Sequence, residues 1–159
     1  MQRASVYLET PVISYLTAKP SNDLLKAARH AATIDWWENS RHKFDLYVSA
    51  LVVDETSDGD PHAASRRLSE IQGIAVLDIP ARVAEIADAL LAVKALPTTA
   101  REDALHIGVA ADQGLDYLLT WNFKHINNAE KKARIREVLE DFSHACPIIC
   151  SPEALGAIS

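Results

Sequence analysis

Long hydrophobic runs are missing from this chain. Its apolar stretches are short and broken by charge, and the N-terminus passes directly into an alternating segment with no basic leader ahead of an apolar core. Neither secretion nor membrane insertion is expected. Cysteine is almost absent as well. Cys146 and Cys150 lie four residues apart in a β-prone segment, which would separate them by roughly 13 Å, beyond disulfide reach. The expectation is two buried, reduced thiols in a cytoplasmic protein. With five glycines there is no glycine-rich phosphate loop, and HExxH helices and paired CxxC motifs are also lacking. The six histidines show no zinc-ligand spacing. A formal charge of −6 argues against a surface that attracts nucleic acid everywhere, so any such substrate must be engaged locally.

What is present is a regular alternation. The 159 residues suffice for one domain with a substantial core, and residues 1–159 read as a single unit without repeats or linkers. Strands are expected at Ser5–Leu8, Leu46–Val48, Ile74–Ile79, Tyr117–Thr120 and Pro147–Cys150. Helical spacing fills the intervals. Thr10-Pro11 reads as a cap with proline at the first helical position, and Thr99-Ala100-Arg101-Glu102 has the form of a capping box. A helix over 22–40 should turn Leu25, Ala28, Ala32 and Trp36 inward and Lys26, His30 and Thr33 away from them. Residues 129–141 read as a charged, exposed helix. Such alternation predicts an α/β fold, a three-layer α/β/α sandwich around a mainly parallel sheet, because parallel neighbours require crossover connections. Ligands of such sheets bind beyond the carboxyl ends of the strands.

Those ends carry acids. Glu9 falls just past the first strand, Glu55 early in the helix after the second, and Asp103 in the first turn of the helix that feeds the fourth. Thr120-Trp121-Asn122 follows the fourth strand. Each has an ordinary explanation alone: an acid near a helix N-terminus is favoured by the helix dipole by about 0.3–1 kcal/mol. Together they point to a hard divalent cation, since crowded carboxylates are pushed toward protonation unless a cation neutralises them. His106 reads as a packed or hydrogen-bonded residue in preference to a catalytic one, while His125 is evenly balanced between the two. Lys124, Lys131, Lys132, Arg134 and Arg136 form a basic stretch that either holds RNA phosphates or, the plainer reading, is a solvated helix face.

Three segments in this order, Val6-Tyr7-Leu8-Glu9-Thr10, Asp103-Ala104-Leu105-His106-Ile107 and Tyr117-Leu118-Leu119-Thr120-Trp121-Asn122, resemble the PIN-domain family, particularly VapC-type toxins. Ser14–Ser21 and Trp121–Ile126 are similar to one PIN subgroup. The resemblance implies metal-dependent RNA cleavage with Mg²⁺ or Mn²⁺, a small antitoxin partner and a possible homodimer. It matches Glu9, Glu55 and Asp103 to three family acids that hold the metal, with Asn122 completing the catalytic set. Two positions depart from the commoner pattern: Glu9 stands where most members have Asp, and Asn122 where many have a fourth acid. The rival reading is a catalytically weak PIN-like module that binds RNA or protein.

Overall fold

The computed structural model describes residues 2–156. Five strands form one sheet: β1 (Ala4–Leu8), β2 (Phe44–Ser49), β3 (Ala75–Leu77), β4 (Tyr117–Leu119) and β5 (Ile148–Cys150). Their order across the sheet is β3-β2-β1-β4-β5, and every neighbouring pair is parallel. The chain thus starts in the middle, builds outward through β2 and β3, then returns to the other side of β1. That reversal makes the β1/β4 boundary a topological switch point, where a crevice opens beyond the strand ends.

The connections are helical. α1 (Thr10–Leu16), α2 (Leu24–Asn39), α3 (Ala50–Thr56) and α4 (Pro61–Ile71) pack among themselves, and α5 (Ala81–Ala92) packs on α6 (Arg101–Asp112) and α7 (Lys132–Asp141). The sheet lies between these two groups as the middle layer. Burial on both faces explains why β1 and β4 read as continuous apolar runs: Val6, Tyr7, Leu8, Leu118 and Leu119 are all fully buried. No helix among the described residues is long and apolar enough to cross a membrane.

Several local expectations need correction. Thr10 is the first residue of α1 and not its cap; Glu9 holds the N-cap position, its carbonyl accepting from Val12 N at 3.0 Å. The Thr99 capping box does not form, because α6 starts one residue late with Ala100 as its N-cap and no side-chain cap bond. The third strand is only Ala75–Leu77, a short sheet edge stopped by Pro80 before α5. α7 is not simply exposed, since Ile135, Val138 and Leu139 bury one of its faces. Cys146 and Cys150 are free but half-buried, and burial raises both thiols, Cys150 to about 11.

The largest departure concerns α2. Thr33 is fully buried and Leu25 is 59% exposed, the reverse of the expected faces. The cause is a partner distant in sequence: Trp121 Nε1 donates to Thr33 Oγ1 at 2.8 Å, and Thr33 Oγ1 donates to the Arg29 carbonyl at 2.6 Å. With its hydroxyl satisfied, Thr33 can face inward beside Trp36. By contrast, Ser49 caps α3 from its own local sequence, accepting from Val52 N, and Asp60 caps α4 ahead of Pro61.

The α5–α6 crossing is close because Gly108 has no side chain. A Cβ at this position would stand 3.1 Å from Val83 Cγ1 and 3.3 Å from the Val83 carbonyl oxygen. Gly108→Val should therefore destabilise the fold by about 1–3 kcal/mol through overpacking, measured by urea denaturation; unchanged stability would show that the two helices separate freely.

Candidate active site

Glu9, Glu55, Asp103, Thr120 and Asn122 come to the β1/β4 end of the sheet, held there by different elements. Glu9 follows β1 as the N-cap of α1, Glu55 lies in the last turn of the short α3 and not early in it, Asp103 is in the first turn of α6, and Thr120 and Asn122 follow β4. The backbone joins two of these segments: Glu9 N donates to the Leu119 carbonyl at 3.1 Å, extending the β1–β4 pairing to the crevice. Thr120 Oγ1 donates to Glu9 Oε1 at 2.5 Å, and Asn122 N donates to Thr120 Oγ1 at 2.9 Å.

Glu9 is 3% exposed, which is unusual for a carboxylate without a cationic partner in contact. Burial pushes its pKa up to about 7. The charge of His106 and the Thr120 hydrogen bond oppose this rise, while Asp103 and Glu55 add to it. Glu55 behaves differently. Burial raises its carboxyl, but the His106 and Thr10 hydrogen bonds and the charge of His106 outweigh that effect and hold it below its ordinary value. One acid is disposed to keep its proton and the other to lose it.

The support for Glu55 continues inward as a buried hydrogen-bond chain. His106 Nε2 lies 2.7 Å from Glu55 Oε1, and Thr10 Oγ1 donates to the same oxygen at 2.5 Å. Because the ionised carboxylate can only accept, the imidazole proton facing it belongs to Nε2. On the other side of the ring Nδ1 is 2.7 Å from the Tyr7 hydroxyl, itself 2.7 Å from Ser49 Oγ. Burial pushes the Tyr7 phenol far up, with the Ser49 hydrogen bond opposing, so the hydroxyl keeps its proton. Tyr7 pairs with Tyr47 across β1 and β2, and Ser49 is two residues beyond Tyr47, which puts Tyr7 and Ser49 on one face of the sheet.

Asp103 and Asn122 are linked through His125. His125 Nδ1 is 2.8 Å from Asp103 Oδ2, and the His125 backbone N–H donates to Asn122 Oδ1 at 2.9 Å. Asn122 thereby caps the turn that presents the imidazole to Asp103. Of the basic stretch, Lys132 Nζ donates to the Ile149 carbonyl and Arg134 Nη1 to the Val93 carbonyl, so both tie α7 to its neighbours. Lys124 and Arg136 are exposed.

The donor set suits a hard divalent cation: three carboxylates, of which the most buried resists ionising because burial, and then the charge of its acidic neighbours, disfavours its anion. The carboxylates do not already form a closed cage. Among the described residues no three His, Cys, Asp or Glu side chains converge as a complete metal site. Glu55 and Asp103 each turn an oxygen to a histidine. An ion that keeps several waters and takes one or two carboxylates, as Mg²⁺ does, fits such an open arrangement.

This architecture has counterparts among solved structures. VapC20 from Mycobacterium tuberculosis, described as a Sarcin-Ricin loop cleaving toxin, superposes with a TM-score of 0.60 at 15% identity, covering 78% of this chain and 95% of that one. VapBC2 from Rickettsia felis, bound to a DNA fragment from its promoter, gives 0.56 at 15% identity, covering 92% and 98%. The chain has the PIN-like fold of VapC proteins. No protein-family model and no curated protein matches the sequence. Within a PIN-like frame, Thr10, Tyr7, Ser49 and His106 are the residues that sequence reading left without a role in the site. The one signal available was spacing, since His106 is three residues beyond Asp103 and so shares its helix face.

The raised Glu9 pKa has a defined consequence for stability. Folded Glu9 titrates near 7 and the unfolded residue near 4.5, so the folded state holds the extra proton between those values. Its contribution is complete below pH 4.5 and lost as pH rises to 7, about 3 kcal/mol in all. In chelator, the stability of Glu9→Gln relative to the parent should therefore grow by that order between pH 4.5 and 7.5, by urea denaturation. A pH-independent difference would show that Glu9 is ionised throughout.

Proposed function

We propose that the protein is a metal-dependent endoribonuclease, the toxin of a type II toxin–antitoxin pair, acting in the cytoplasm on RNA phosphodiester bonds. The observation that carries the reading is the buried Glu9 carboxyl, raised in pKa and sharing the switch-point crevice with Glu55 and Asp103. That is a site waiting for positive charge. The PIN-like fold, shared with an RNA-cleaving toxin and with a toxin–antitoxin pair, supports both the reaction class and a small antitoxin as partner. A homodimer is part of the same proposal.

Glu9, Glu55 and Asp103 would hold Mg²⁺ or Mn²⁺, which when bound lowers the pKa of a coordinated water and offsets charge on the attacked phosphate. The chain's own contribution is positioning. His106 and Thr10 fix the orientation of Glu55 and keep it ionised, and Thr120 orients Glu9. Asn122 acts through the turn that carries His125 to Asp103, because its carbonyl oxygen is already engaged. The missing fourth acid is thus filled by a neutral cap. The rival reading, a weakly catalytic binding module, draws on the turning of Glu55 and Asp103 toward histidines, away from a common centre.

Three variants decide between them. Glu9→Gln, Glu55→Gln and Asp103→Asn should each lower Mn²⁺-dependent RNA cleavage by at least about tenfold, or 1.4 kcal/mol in barrier, while remaining folded. Asp103→Asn cutting at the parental rate would remove Asp103 from the mechanism. Parent protein that cuts no RNA in Mn²⁺ would favour the binding module.

Asn122 gives a separate test by calorimetric titration with Mn²⁺. Asn122→Ala should bind the ion within about threefold of the parent yet turn over at least about tenfold more slowly, whereas Asn122→Asp, adding a carboxylate, should bind it more tightly. Loss of binding in Asn122→Ala as severe as in Glu55→Gln would make Asn122 a direct ligand.

A further inference from the structure

Beside the acidic crevice, the residues after β4 meet α1 and α2 in a cluster that the proposed chemistry does not use. Arg29 projects from α2 into three aromatic rings, its Cζ standing 5.2 Å from the centroid of Phe123, 5.5 Å from Trp121 and 6.0 Å from Tyr15. The rings are packed edge to face, Tyr15 against Trp121 at 6.0 Å and Trp121 against Phe123 at 6.1 Å. Trp121 is buried and anchored through Nε1 to Thr33, the contact that sets the rotation of α2. Phe123 is 39% exposed and follows Asn122 directly in the chain. A rigid floor therefore carries an open ring at the border of the crevice.

The guanidinium is held in place with most of its hydrogen-bonding capacity unspent. Its one side-chain partner is the Tyr15 hydroxyl, at 3.5 Å, and among the described residues no carboxylate lies within ion-pair distance. Arginine has five N–H donors in a planar fork that matches phosphate oxygens. Nor is Arg29 among the main groups that shift Glu9 or Glu55, so it is not serving as their counter-ion. Arg29 is thus a half-buried cation framed by aromatic rings, with no carboxylate at ion-pair distance among the described residues and donors free to take an anion.

We propose that Arg29 and Phe123 form a nucleotide subsite for an unpaired RNA strand, Arg29 binding a backbone phosphate next to the scissile one and Phe123 stacking on a base. The identity of the strand as RNA rests on the nuclease reading; the subsite itself rests on the cluster. The chemistry selects an unpaired strand because a base already stacked in a duplex offers no free face to Phe123. It also resolves how an acidic protein engages a polyanion: one fixed guanidinium and one ring act next to the crevice, in place of a broad basic surface.

The test uses full-length protein in chelator, where cleavage is absent, with fluorescently labelled oligoadenylate and oligouridylate of about 12 nucleotides and an oligoadenylate–oligouridylate duplex. Phe123→Leu, at an exposed position, and Arg29→Met should each weaken single-strand binding by about tenfold, with Phe123→Tyr restoring it. Binding should quench tryptophan fluorescence in the parent and bring little change in Phe123→Leu. In Mn²⁺, the same two variants should raise KM for RNA and leave kcat near the parental value. Parental affinity in a folded Phe123→Leu protein, or duplex bound as tightly as single strand, would overturn the subsite. The two readings fail separately: a parent that binds single strands through Phe123 but never cuts them keeps the subsite and loses the nuclease, while Mn²⁺-dependent cutting with unchanged KM in both variants does the reverse.

Discussion

A carboxyl group buried at the end of the middle strand of a five-stranded parallel sheet is costly unless something stabilises its charge or it keeps its proton. Glu9 is such a group, and much of the neighbouring structure is arranged around it. Thr120 is turned to donate to it, the Leu119 carbonyl fixes its backbone, and the charge of Glu55 and Asp103 opposes its ionisation. Burial and like charge raise the pKa to about 7, which leaves the group close to balance at neutral pH. Small changes in nearby positive charge would then have a large effect on its state.

The environments of the three acids differ because their supports differ. Glu55 sits at the end of a hydrogen-bond chain running through His106 and Tyr7 to Ser49, every member of which except the carboxylate is buried. Such a chain fixes the direction of Glu55 with little freedom for its partners to relax. Asp103 is held from the surface side by His125, which sits in a loop capped by Asn122. On the proposed account the inner acid, the relay-held acid and the loop-held acid form a graded site, held from the sheet side by a buried hydrogen-bond chain and from the other side by a capped loop. The Arg29 cluster is tied to the segment after β4 through Trp121, whose indole bonds Thr33 of α2.

Most of the architecture was legible because it rests on local signals. Alternation of strands and helices and the placement of acids after strand ends follow from neighbours within a few residues, and they predict a parallel sandwich with its site beyond the strand ends; the strand order that puts the switch point between β1 and β4 came only with the fold. What stayed hidden depends on contacts formed only when distant segments meet. Thr10 looked like a cap because Thr-Pro is a common helix start, yet its hydroxyl is taken by Glu55 of α3. Thr33 looked like a polar-face residue, and only the Trp121 indole made its burial favourable. His106 is the packed, hydrogen-bonded residue that its sequence position suggested, but its partners Tyr7 and Glu55 come from other elements and could not be read. The order of acids along a chain can indicate a site; the second set of residues that orients them cannot be read without the fold.

The central claim is that Glu9, Glu55 and Asp103 share one divalent cation, and anomalous diffraction from a crystal equilibrated with Mn²⁺ tests it most directly. The account predicts a strong anomalous peak at the β1/β4 crevice in coordination distance of carboxylate oxygens from at least two of these residues, with Asn122 still capping the His125 turn. A Mn²⁺-saturated crystal whose only ordered ion lies elsewhere, with Glu9 still buried against Thr120 alone, would contradict it.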